Sequence, residues 1–196
     1  MSARPVVETL RHLWSSLSPL KLPMTVMGGI ALSAWKHVRM THDVDLLLDI
    51  LTSDVNVVLH KLGEAGFRPK RQPPVLSLAE ARIVQLLYEP LDAYLELQVD
   101  LLLADTPYQL VALSRRQPAR LPGLDIEVQV LSCEDLVLHK LLTGRVIDRA
   151  DAAALLRANQ AALDLSYLMH WTRTLVLGAE LAEVWEEAFP GEKPPV

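Results

Sequence analysis

Asp43 and Asp45 stand one residue apart at the head of the apolar run DVDLLLDI, and Gly28-Gly29 lies ahead of them with thirteen residues between the two pairs. In a strand, alternate side chains share a face, so both carboxylates project to one side while Val44 points to the other. Like charges held that close raise the proton affinity of at least one carboxylate unless a positive group lies between them. A hard, oxygen-seeking divalent cation such as Mg2+ meets that need, and it characteristically keeps part of its shell for waters and substrate phosphates. Asp100, in YLELQVDLLLAD, is an acidic residue inside the apolar half of a second strand able to lie beside the first, which makes it the third candidate carboxylate. At a strand-to-helix junction, Gly28-Gly29 offers bare backbone amides where an anion is favoured. Each feature alone has a plainer reading. A diglycine is commonly just a turn, an Asp-x-Asp a solvated strand end, and Asp100 an edge residue in a salt bridge. Their conjunction in sequence order points to a metal-nucleotide site.

These residues need a scaffold, and the hydrophobic pattern supplies one. Val6, Leu10, Leu13, Trp14 and Leu17 recur at helical spacing over residues 5–17, with Ser18-Pro19 closing the helix. Met24–Met27 reads as a strand, the diglycine as a tight turn, and GIALSAWKH as helix-competent; Val44–Ile50 is the next strand. Ser53 is placed to cap a helix running through Gly63. FRPKRQPPVLS, residues 67–77, reads as a proline-rich basic loop after a short strand at Phe67-Arg68. Arg82–Tyr88 and Tyr94–Leu103, separated by EPLDA, predict an antiparallel pair, and Asp125–Val130 alternates as an edge strand. From Ser132 the period turns helical, with Asp135 three positions on as in a capping box, and further helices are expected at 148–158, 164–175 and 178–188. The expected fold is therefore mixed α/β (α+β). A small mixed sheet with flanking helices spans residues 1–131, and a helical region, residues 132–196, packs on it.

Composition narrows the partners. The 196 residues are 51% hydrophobic and 22% charged, enough for one compact domain with a helical appendage. A net charge of -5 gives no general attraction for polyanions, so any nucleic-acid contact must rest on local basic patches such as FRPKRQPP and SRRQPARLP. The single cysteine, Cys133, precludes an internal disulfide and a cysteine-rich zinc site and fits a reducing compartment, the cytoplasm by default. No secretory signal is expected in MSARPVVETLRHLWSSL, and Arg173, Glu180 and Glu183 interrupt the apolar stretch near residue 175 well short of a membrane span. His139 and His170 lack a second histidine at metal-ligand spacing; His42 stands beside the aspartates, where it either tunes the site or faces solvent.

Met27-Gly28-Gly29, the helix that follows, Arg39, Thr41 and Asp43-Val44-Asp45 together resemble the signature of the nucleotidyltransferase fold of the DNA polymerase beta superfamily. LSCEDLVLHKLLTGRVIDRADAAALL, with Lys140, Arg145, Asp148 and Asp151, is similar to the helical segment of minimal and abortive-infection toxin-type members. The resemblance covers residues 20 to 160. It implies that Gly28, Gly29 and Arg39 serve the triphosphate of an incoming NTP, that Asp43 and Asp45 ligate Mg2+, and that Asp100 completes the site and accepts the acceptor's proton. Lys140 and Asp148 are implied on the nucleotide side; their plainer reading is a solvated helix face of i,i+3 and i,i+4 charge pairs. Many relatives carry serine at the second turn position, where this chain has Gly29.

The implied activity is transfer of a nucleoside monophosphate from an NTP to a hydroxyl, as in toxin-type enzymes of toxin-antitoxin or defence systems, with tRNA as an acceptor and an antitoxin as a protein partner. Two rivals stand beside it. One is adenylylation of a small hydroxylated molecule, an aminoglycoside or lincosamide; the other is a non-catalytic nucleotide-binding module. An open basic groove formed by loops near Arg71 and Arg116 would favour tRNA, a deep acidic pocket an aminoglycoside.

Overall fold

The computed structural model describes residues 4–50, 54–78, 81–90 and 95–195. The chain divides into two compact units: residues up to Ala31 with Arg39–Leu131, and Leu32–Val38 with Ser132 onward.

The first unit is built on one sheet of eight strands among the described residues: β1 (Met24–Met27), β2 (Asp43–Asp49), β3 (Arg68–Pro69), β4 (Val75–Leu78), β5 (Ala81–Tyr88), β6 (Leu97–Ala104), β7 (Gln117–Ala119) and β8 (Val128–Val130). They run in the order β3-β5-β6-β2-β1-β8-β7, with β4 also paired to β5. β2 is the hinge of the topology, antiparallel to β1 and parallel to β6. Alternation gives the sheet two different faces. Val44, Leu46 and Leu48 of β2, Val99, Leu101 and Leu103 of β6, and Val84 and Leu86 of β5 are fully buried, and each burial stabilises by roughly 1.5–3 kcal/mol. Asp43, Asp45, Gln98, Asp100 and Gln85 on the opposite face remain only half-buried.

Four helices complete this unit among the described residues: α1 (Arg4–Leu17), α2 (Gly28–Ala31), α3 (Val55–Glu64) and α4 (Pro107–Ser114). α1 follows its apolar period, burying Leu10, Leu13 and Leu17. The nine-residue helix expected after the diglycine is one α turn, which tightens into a 3-10 turn at Leu32–Trp35. Ser53 lies outside the described residues; the observed cap of α3 is Asp54, whose side chain accepts from the Asn56 amide at 2.8 Å.

Three readings are corrected. The short strand expected at Phe67-Arg68 is β3, one residue further on, but the loop expected after it contains the start of β4, because long β5 offers hydrogen-bonding partners to both. β8 is internal, parallel to β1 and antiparallel to β7, since QPA within the basic SRRQPARLP stretch takes the edge. α4 was not expected: Thr106 and Gln109 close a reciprocal capping box around its first turn, a Thr-x-x-Gln signal present in the sequence.

The second unit contains α5 (Cys133–Thr143), α6 (Val146–Asn159), α7 (Leu165–Thr174) and α8 (Gly178–Ala188), besides the 3-10 turn at Leu32–Trp35. Ser132 caps α5, accepting from the Asp135 amide at 3.1 Å; its hydroxyl donates to the Asp135 carboxylate at 2.7 Å, and that carboxylate also accepts from the Tyr167 hydroxyl at 2.7 Å. Asp135 is thereby tied to α7 as well as to the cap. Among the described residues no helix is long and apolar enough to cross a membrane.

Candidate active site

Strand register brings the three candidate carboxylates to one place. Asp45 is the direct partner of Asp100 across the parallel β2–β6 ladder, and Asp43 is the partner of Gln98. All four therefore share the half-buried face. On the other side of β2, Asp45 is the partner of Met27, the residue that leads into the diglycine.

Gly28 adopts φ +63, and a Cβ placed on it would meet Asp45 Oδ2 at 1.9 Å. Only glycine tolerates both the left-handed backbone and that approach. A Cβ on Gly29 would meet Thr41 Oγ1 at 2.6 Å and lie 3.4 Å from Arg39 Nη1. A serine at this position would therefore require the Thr41 side chain to shift. The Thr41 hydroxyl donates in turn to Asp43 Oδ1, and Arg39 Nη1 donates to the Met40 carbonyl at 2.9 Å. Diglycine corner, guanidinium, hydroxyl and two carboxylates form one contiguous group. His42 is exposed.

Asp100 is held by two amides that the sequence reading passed over. Gln98 Nε2 donates to its two carboxylate oxygens at 2.9 and 3.0 Å, and Gln85 Nε2 donates at 3.3 Å. Burial pushes the Asp100 carboxyl above the ordinary range; the two amides pull it back, and the Asp43 charge adds to the rise. The signal for Gln98 was available, because the parity that pairs Asp43 with Asp45 also pairs Gln98 with Asp100.

Asp43, Asp45 and Asp100 are oxygen donors of the kind a hard divalent cation takes. Three carboxylates share one face, and the repulsion Asp43 exerts on Asp100 is the cost a cation would relieve. Among the described residues no three His, Cys, Asp or Glu side chains are already closed around a single point, so the acids are neighbours on a sheet without forming a finished cage.

Lys140 and Asp148 belong to the helical unit, where each is a partner of the other. Lys140 Nζ donates to Asp148 at 2.7 Å and lies 2.8 Å from Asp151; Arg145 Nε donates to Asp148 at 2.5 Å, and His37 Nε2 is 3.0 Å from Asp151. Lys140, Asp148 and Asp151 are buried. These charges are not a solvated helix face, and direct contact with a phosphate would require the Lys140 ammonium to leave two carboxylates. The basic loops near Arg71 and Arg116 follow β3 and precede β7, the strands at opposite edges of the sheet, so they do not form one groove.

A family model described as "Nucleotidyltransferase of unknown function" (DUF6036) matches residues 4–180. Among solved structures, ANT(2")-Ia in complex with adenylyl-2"-tobramycin superposes with TM-score 0.57 at 14% identity over 88% of this chain and 99% of that one. JHP933 from Helicobacter pylori gives TM-score 0.53 at 15% identity over 90% and 71% of the two chains. The lincomycin-bound lincosamide adenylyltransferase LnuA gives 0.50 at 13% identity over 76% and 94%. At these identities the likeness is one of fold. A search of curated proteins gives no match.

Proposed function

The chain belongs to the nucleotidyltransferase family DUF6036, and on that premise we propose that it moves a nucleoside monophosphate from an NTP to a hydroxyl acceptor with the help of Mg2+. The observation that carries this reading is the register Asp45–Asp100 on adjacent parallel strands, with Gly28 seated against the Asp45 carboxylate. Gly28 and Gly29, packed against Asp45 and Thr41, would offer backbone amides to the triphosphate, and Arg39 beside them would supply positive charge. Thr41 fixes the Asp43 carboxylate; Gln98 and Gln85 fix that of Asp100. Mg2+ would be held by Asp43 and Asp45 with Asp100 completing the set, and bound there it neutralises charge on the attacking and leaving oxygens of an in-line displacement. The acceptor oxygen forms a bond to the α-phosphorus, the bond to the bridging α–β oxygen breaks, pyrophosphate leaves with that electron pair, and Asp100 receives the hydroxyl proton. In this reading Lys140 and Asp148 act within the helical unit, joining α5 to α6.

Transfer of label from an α-32P-NTP to a panel of total RNA, tRNA, protein and small hydroxylated molecules tests the proposal. Asp43→Ala with Asp45→Ala abolishes transfer while leaving the melting transition in place. Label transfer that persists in the double variant would remove the assigned chemistry.

A further inference from the structure

The rows of the sheet continue beyond the carboxylates. Asp45, Asp100 and Gln85 are successive partners across β2, β6 and β5, as are Asp43, Gln98 and Leu87. Past β5, the Lys70 amide donates to the Gln85 carbonyl at 2.9 Å. Lys70 Nζ donates to Gln98 Oε1 at 2.6 Å and Arg71 Nη2 to Gln85 Oε1 at 2.5 Å, while the amide nitrogens of the same glutamines face Asp100. From β2 outward, this face therefore passes from acid to amide to cation. Arg68 gives its charge to Glu96, but Lys70 and Arg71 rest on neutral amide oxygens and make no ion pair among the described residues.

Topology sets which way the acceptor comes. The diglycine follows β1, on one side of β2, and Asp100 lies on β6, on the other. In-line displacement requires the attacking hydroxyl opposite the departing pyrophosphate, so an acceptor approaches over β6, β5 and β3. Two exposed cations stand there, in no ion pair among the described residues, although the Lys70 charge also favours the ionised form of Asp100. We propose that Lys70 and Arg71 form a subsite for a phosphate group on the acceptor, so that the hydroxyl substrate is a phosphate-bearing molecule. This inference rests on the nucleotidyl-transfer reading for the direction of approach. A polycationic acceptor such as an aminoglycoside would meet like charge on this path, whereas a phosphate oxygen meets a guanidinium and an ammonium suited to it.

The test is direct binding of a short fluorescent single-stranded RNA, and separately of a 5'-mononucleotide, to the full chain without NTP or metal. Mg2+-ATP affinity is measured by calorimetry on the same protein. Lys70→Glu with Arg71→Glu weakens binding of the anionic probe at least tenfold and lowers the salt-dependence slope by about 1.4, at ~0.7 per single-strand phosphate contact. Lys70→Arg with Arg71→Lys restores it, and Mg2+-ATP affinity stays within twofold throughout. A loss seen with RNA identifies a nucleic-acid phosphate; a loss confined to the mononucleotide identifies a small phosphorylated acceptor. Wild-type protein that binds neither probe, or binding indifferent to both substitutions, overturns the subsite. Failure to bind Mg2+-ATP would instead count against the nucleotidyl-transfer reading and leave the anion measurement standing.

Discussion

Two glycines determine how closely backbone and carboxylates can approach. Gly28→Ala forces a Cβ onto Asp45 at a backbone angle that disfavours any side chain, so a destabilisation of about 2 kcal/mol or more in urea unfolding is expected, together with loss of transfer. Gly29→Ser is a sharper probe because its obstacle is a single side chain. It should cost about 1–3 kcal/mol alone and recover most of that with Thr41→Ala, a coupling that a double-mutant cycle reads. The aspartates were legible because alternation on a strand is a two-residue rule. Gln98 obeyed the same rule but drew no notice as a neutral residue. Gln85 and the Thr41–Gly29 contact were illegible, since each depends on pairing between segments that spacing alone does not fix.

The elements that carry the site follow their local signals unevenly. α1, β1, β2 and the β5–β6 pair are where periodicity puts them, because each has one face committed to the core. β4 and β7 are short and take their strand character from a paired neighbour, so proline-bearing basic runs conceal them, whereas β3 lies within one residue of its expected place. α4 begins at a capping box, with the Gln109 side chain accepting from the Thr106 amide at 3.1 Å while Thr106 accepts from Gln109. Thr106→Ala should lower stability by about 1 kcal/mol in chemical denaturation. Thr106→Ser, which keeps the acceptor oxygen, should recover most of it. An unchanged midpoint for Thr106→Ala would mean that α4 is held by packing alone.

The molecule as a whole should respond to acid in two stages, both arising in the helical unit. His139, half-buried on α5 with its Nε2 enclosed, is held neutral with its pKa lowered to about 4, first by burial of the ring and then by the Lys140 charge. The unfolded chain binds that proton from about pH 6.5, so stability falls as pH drops between 6.5 and 4, by on the order of 3 kcal/mol. Asp148 behaves oppositely in charge but not in sign. Burial raises its pKa, yet hydrogen bonds from Arg145 and Lys140 outweigh that and hold it at about 2, so its contribution is present above the unfolded value of 3.8 and is lost as pH falls toward 2. Unfolding free energies at pH 7, 5 and 3 check both, and His139→Leu should flatten the first stage while leaving the second. The helical cluster was legible as charge, but neither its nucleotide-side reading nor its solvated-face alternative anticipated a buried Lys140–Asp148–Asp151 group, because sequence does not say which way a helix turns its i,i+4 row. The parallel junction of β2 with β6 carries a different consequence, one of timing. A chain emerging from the ribosome can pair β1 with β2 early, but it holds only two of its acids together until the segment bearing Asp100 has been synthesised and threaded alongside. Truncated translation products ending before β6 would thus lack the third carboxylate altogether.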